Sequence, residues 1–230
     1  MILERISPKT IRQEVYERLR DKIISAEILP GESISLRDLA EKFGVSLMPV
    51  REALWQLESE KIIVVESNKR IRVNSLTVKE MEEALHLRIM LESVAAERAC
   101  DLMTESDIHK LKRLLENMEV SKERPKIFMR RNTQFHFTLY ALADSPLLFE
   151  IIERLWARVG PYVYSYVIGK RDLSRSMMSH REILEGLAAN DKARIVRGLR
   201  EDLEIAGKII ISDLKASVAA NEKINAASNP

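Results

Sequence analysis

Ser35–Leu54 reads SLRDLAEKFGVSLMPVREAL, and the fold of the N-terminal third turns on it. Ser35, followed three residues on by Asp38, opens a helix. Gly44 closes it, because glycine takes the left-handed C-cap without a Cβ penalty. Only Val45 then separates Gly44 from Ser46, the expected cap of a further helix that runs to about Glu60. Pro49 falls in the first turn of that helix, where a missing N–H is tolerated. Two helices joined by so short a corner, with glycine at the bend, form a helix-turn-helix whose second helix projects from the pair.

The flanks complete the module. Upstream, Thr10 and Gln13 have capping-box spacing, and Ile11, Val15, Leu19 and Ile23 recur at helical intervals until the Pro30-Gly31 turn. Downstream, Ile62–Glu66 and Ile71–Asn74 are short β-rich runs joined by Ser67, Asn68, Lys69 and Arg70. Helix, helix-turn-helix and antiparallel pair is the order of a winged helix-turn-helix over residues 1–76. Beyond Leu76 only helices are predicted: Thr77 to about Met103, Thr104 to near Ser121, Pro125–Ala143, one after the Asp144-Ser145-Pro146 break, Ser174–Ala189, and Asp191 to about Ala219. The expected fold class is mainly α, with a small β-hairpin in the first domain. An all-α antiparallel bundle follows over residues 77–222, with a frayed tail at 223–230.

Composition narrows the function. The chain is 46% hydrophobic and 31% charged with a net charge of +2, and it has 7 Gly, 7 Pro and a single cysteine, Cys100. One cysteine excludes an internal disulfide framework and a thiolate zinc site. No apolar run approaches the length of a membrane span and no signal-peptide core opens the chain, so a cytoplasmic protein without a membrane partner is expected. Residues 1–76 hold 13 Lys and Arg against 12 Asp and Glu, so nonspecific attraction to nucleic acid is weak. Any DNA contact rests on where particular side chains point.

In a helix-turn-helix the start of the projecting helix enters the major groove, where base edges are distinguishable. Ser46, Leu47, Met48 and Arg51 occupy that start, and Arg51 is the donor there able to grip a guanine with two hydrogen bonds. Arg37, early in the preceding helix, is placed to reach phosphate or a base edge. Lys69 and Arg70 at the hairpin tip suit the adjacent backbone or minor groove. Taken singly, Arg51 reads equally well as a solvated surface charge.

The spaced blocks Pro30-Gly31-Glu32, Leu36-Arg37-Asp38-Leu39-Ala40, Phe43-Gly44-Val45-Ser46 and Pro49-Val50-Arg51-Glu52-Ala53-Leu54 resemble the signature of the GntR family of bacterial regulators. The resemblance implies that Arg37 and Arg51 contact bases or phosphates. Two departures stand out. Leu47 and Met48 follow the capping serine where the family usually has Arg and Thr, and Asn68-Lys69-Arg70 replaces a Gly-x-Gly wing tip. Leu47 suits contact with a thymine methyl instead of a guanine.

In the helical part, Arg88 and Glu92 stand four residues apart on one face. Arg88 lining a cavity would anchor a carboxylate ligand, or the two residues pair on the surface. Asn132 and His136 are likewise four apart, and His180 and Asp202 lie on the last two helices. Two imidazoles, a carboxylate and an amide oxygen suit a divalent metal, although a buried histidine is often only a satisfied core residue. Tyr162, Tyr164 and Tyr166 concentrate aromatic surface either on a cavity wall or in the core. Arg88-x-x-Leu91-Glu92, Asn132-x-x-Phe135-His136, His180 with Ile183-Leu184, and Asn190-Asp191 resemble the effector domain of the FadR subfamily. This resemblance implies a metal held by Asn132, His136 and His180, with Asp202 where a third histidine is usual; zinc, manganese or nickel are the candidates. It further implies a homodimeric regulator, in the commoner sense a repressor, that binds an inverted-repeat operator in double-stranded DNA and is switched by a small organic acid. The competing reading is a metal-dependent helical-bundle enzyme using His136, His180 and Asp202.

Overall fold

A computed structural model describes residues 10–25, 27–67, 70–169 and 173–227. The chain divides into two compact units, Met1–Ser75 and Leu76–Pro230. The first contains α1 (Ile11–Ile24), β1 (Ser33–Ile34), α2 (Leu36–Phe43), α3 (Leu47–Ser59), β2 (Ile63–Val65) and β3 (Ile71–Val73). Val15, Leu19 and Ile23 of α1 and Val50, Ala53, Leu54 and Leu57 of α3 are its buried apolar faces, and the two helices pack on each other. Gly44 adopts φ 65° at the end of α2, and its N–H bonds back to Ala40 and Glu41.

Three local expectations are corrected. The sheet has three strands in the order β1-β3-β2, not two, because Ser33 and Ile34 pair antiparallel with Arg72 and Ile71. A strand of two residues has no alternation to read. Ser46 holds the N-cap backbone conformation of α3, yet its side chain makes no capping hydrogen bond. Pro49 is the cause: it occupies the third helical position and removes the N–H that an N-cap hydroxyl usually takes. Thr10 caps α1 through the Gln13 N–H, but the Gln13 side chain turns forward to Glu17 and does not close the box.

The second unit contains α4 (Val78–Leu102), α5 (Glu105–Glu119), α6 (Pro125–Ala141), α7 (Pro146–Ile168), α8 (Ser174–Ala188) and α9 (Lys192–Ala227). Full capping boxes start α4 at Thr77 with Glu80 and α5 at Thr104 with Asp107. Arg158 of α7 pairs with Glu80 at the start of α4, and Arg98 near its end donates to the Ala143 carbonyl just before α7. The two helices therefore run antiparallel. No described helix is long and apolar enough to cross a membrane. Helix α9 continues to Ala227. Its last turns are rich in alanine, the best helix former, and contain neither Gly nor Pro.

Helices α8 and α9 approach so closely that side chains are excluded at the crossing. A Cβ added to Gly198 would stand 2.9 Å from the Ser179 carbonyl oxygen and 3.1 Å from Ile183. Gly198→Ala is therefore expected to cost about 1–3 kcal/mol, as overpacking does. Gly44→Ala meets open space and is expected to cost only about 1 kcal/mol of backbone strain. Urea unfolding followed by circular dichroism orders the two.

Candidate functional site

On α3 the buried stripe leaves the opposite side bare. Leu47, Met48 and Arg51 are all exposed, as is Trp55 one turn beyond Arg51. Leu47, Arg51 and Trp55 recur every four residues and form one row along the helix. Ser46 and Arg37 are exposed beside it, and Arg70 is exposed at the hairpin. Lys69 lies outside the described residues. Trp55 is the member of this surface that sequence reasoning missed. Its signal was available, as an aromatic residue off the inward stripe of Leu54 and Leu57.

Inside the helical unit, four side chains from three helices are brought into one buried cluster. Asn132 and His136 come from α6, His180 from α8 and Asp202 from α9, and each is at least nine-tenths buried. His136 Nε2 stands 3.1 Å from His180 Nε2 and 3.3 Å from Asp202 Oδ2. The hydrogen-bond network assigns both tautomers. His180 Nδ1 faces the Ser176 carbonyl at 2.7 Å, and a carbonyl only accepts, so that nitrogen carries the proton. His136 Nδ1 faces the Tyr140 hydroxyl at 3.0 Å, and that hydroxyl donates its own proton to Glu92 at 2.5 Å. His136 Nδ1 is thus a donor too. His136 Nε2 therefore gathers two further acceptors, His180 Nε2 and Asp202 Oδ2, around itself, an arrangement that a bound cation would satisfy.

The spacing fits a metal ion as well as a proton. One ligand atom from each of His136, His180 and Asp202 lies within 4.8 Å of the others. Ligands held tetrahedrally at about 2.1 Å stand about 3.4 Å apart. Burial pushes the Asp202 carboxyl up, but the two imidazoles and the Ser176 hydroxyl, which donates to Asp202 at 2.6 Å, outweigh it and hold the group at about 2. Burial lowers the basicity of His180, keeping it neutral and ligand-competent. Asn132 lines the same cavity as His136 and Asp202.

The expectation of an Arg88–Glu92 pair on the surface is corrected: the pair is buried. Arg88 Nε donates to Glu92 at 2.6 Å while its guanidinium lies 4.4 Å above the Trp156 ring. Glu92 also accepts from the Trp156 N–H at 3.1 Å and from Tyr140. Burial, then the Glu92 charge, push the Tyr140 hydroxyl well above its ordinary pKa, so it stays a donor. Arg88 nonetheless lines the cavity, whose polar wall includes Asn132, His136, Ser176 and Asp202 and whose apolar wall includes Phe128, Val163 and Tyr166. Of the tyrosine run, Tyr166 reaches that wall, Tyr164 is buried, and the Tyr162 hydroxyl accepts from the Leu76 N–H. Sequence reasoning missed Tyr140, Trp156 and Ser176. Tyr140 and Ser176 each lie four residues from a cluster histidine on its own helix, a spacing that marks them.

Residues 11–73 match the family model described as bacterial regulatory proteins, gntR family, and residues 83–204 match the FCD domain. The gluconate operon transcriptional repressor of Bacillus subtilis is 30% identical over 200 residues, covering 82% of this chain and 80% of its own. The HTH-type transcriptional regulator McbR of Escherichia coli is 29% identical over 184 residues, covering 78% and 83%. A solved structure of E. coli McbR/YncC superposes with a TM-score of 0.83 at 26% identity, covering 89% of this chain and 98% of that one. With a helix-turn-helix that presents an open helix face and a helical unit that encloses a polar cluster, this chain belongs to the GntR family of DNA-binding transcriptional regulators and carries an FCD effector domain.

Proposed function

We propose that the protein is a homodimeric, cytoplasmic repressor that binds an inverted-repeat operator and is switched by a small organic acid in the FCD cavity. The observation that carries the effector half is the buried group of facing acceptors, His136 Nε2, His180 Nε2 and Asp202, two of which, His136 and Asp202, lie on the wall of an otherwise mostly apolar cavity. His136, His180 and Asp202 would hold a divalent metal, with Asn132 beside them. A carboxylate in place of a third imidazole favours harder ions, so manganese gains on zinc and nickel. Bound there, the metal supplies a Lewis-acid anchor for a ligand carboxylate. Arg88, kept in place by Glu92 and Trp156, lines the same cavity and would pair with the same carboxylate, and Tyr140 fixes the His136 tautomer. Repression is the sense carried by the name of the B. subtilis relative.

Support for a dimer comes from a bare apolar face on two helices that pack together. Leu87, Met90 and Val94 of α4 and Leu147 and Ile151 of α7 are all exposed. An antiparallel crossing centred between Met90 and Leu91 sets Leu87 against the partner's Val94 and Glu83 against the partner's Arg98. Apolar contact and opposite charge then agree in register. Two copies related by a two-fold axis present two α3 helices to two half-sites.

Three outcomes are expected. Selection from randomised duplexes enriches one inverted repeat, and Arg51→Ala weakens binding to it by about 1–3 kcal/mol while relaxing one base position; failure to enrich any sequence refutes the DNA reading. Val94→Glu shifts the protein to a monomer in sedimentation velocity and weakens operator binding with it. Added zinc, manganese or nickel raises the Tm, by about 2.7 kcal/mol of stabilisation at a hundredfold excess over Kd, and His136→Ala or Asp202→Ala removes the increment. Asp202, titrating at about 2, stays ionised, and His180 stays neutral at neutral pH. The metal increment is therefore full at neutral pH and declines as acid protonates His180.

A further inference from the structure

On the exposed side of α3, apolar groups flank the only cation. Leu47 is 41% exposed, Met48 52% and Trp55 58%, and none of them belongs to the buried stripe of Val50, Ala53, Leu54 and Leu57. Side chains of this size on an open helix face mark a surface that is covered when the protein acts. Leu47 and Met48 belong to the first turn, the part of a recognition helix that reaches deepest into the major groove. There every base edge presents hydrogen-bonding groups, and only thymine adds a methyl. An aliphatic side chain pressed on cytosine, adenine or guanine strands polar atoms that have lost water, whereas on thymine it gains an apolar contact.

We propose that this protein reads thymine through its 5-methyl group with Leu47 and Met48, next to a guanine read by Arg51. This rests on the DNA-binding reading above. Arg51 is three or four residues from the apolar pair, a rise of about 4.5–6 Å along the helix. Bases on one strand are about 3.4 Å apart, so the thymine lies one or two steps from the guanine in each half-site. Trp55 is about 12 Å along the axis from Leu47, too far down the row to share those bases. It meets the sugar–phosphate wall, where contact adds affinity without discrimination.

The test uses the full chain and the duplex enriched by selection, with each thymine replaced in turn by deoxyuridine, which lacks only the methyl. For the wild type, at least one half-site thymine one or two steps from a guanine loses about four-fold in affinity on replacement, the factor for one buried methyl-sized group. The Leu47→Ala, Met48→Ala double variant binds the thymine duplex more weakly and no longer distinguishes it from the deoxyuridine duplex. Trp55→Ala weakens both duplexes equally and preserves their ratio. Indifference of the wild type to deoxyuridine at every position, with tight binding intact, overturns the proposal. Survival of the four-fold ratio in the double variant overturns it as well. Failure to enrich any duplex sinks the DNA reading itself, a distinguishable result. Circular dichroism of the variants checks that these exposed substitutions leave the fold unchanged.

Discussion

Three acceptor atoms from three helices face one another in the buried core, a set that a shared positive charge would satisfy, and the helical unit is organised around them. His136, His180 and Asp202 belong to three helices, and the groups that set their orientation draw in two more. Ser176 holds both His180, through its carbonyl, and Asp202, through its hydroxyl. Tyr140 ties His136 to Glu92 on α4, and Trp156 of α7 closes on the same carboxylate. The cluster is thus coupled through hydrogen bonds to α4, α6, α7, α8 and α9. A change of occupant would be felt by all five, which is a physical basis for an effector domain.

The polar network explains why Glu92 tolerates complete burial. It accepts from a guanidinium, an indole N–H and a phenol, so its lone pairs find partners that water would otherwise supply. Arg88 is neutralised by Glu92 and still borders the cavity, with its flat face covered by Trp156. A ligand anion there meets an already paired cation, which tempers the attraction.

Much of this was legible along single helices and little across them. Caps at Thr77 and Thr104, the Gly44 stop and the 3.6-residue stripes identified the elements, because those signals are local. The i,i+4 pairs Arg88–Glu92 and Asn132–His136 also announced themselves. That Arg88 and Glu92 are buried was not readable, since spacing alone does not say which face a neighbouring helix covers. The pairing of Ser33 and Ile34 with β3 is a long-range contact of a two-residue strand and left no pattern. Ser46 misled for a chemical reason: the cap residue was right, but its N–H partner had been deleted by Pro49. The meeting of His136 with His180 and Asp202 followed only from a family resemblance, because nothing in their separations of 44 and 66 residues brings them together.

The two tryptophans occupy opposite situations. Trp55 stands in solvent on α3, whereas Trp156 lies sealed under the Arg88 guanidinium with its N–H committed to Glu92. Indole emission depends on hydration, so the chain carries two optically distinct beacons, a hydrated one on the open face of α3 and a shielded one beside the cavity of the helical unit. Occupancy of each end can therefore be followed in the unlabelled protein.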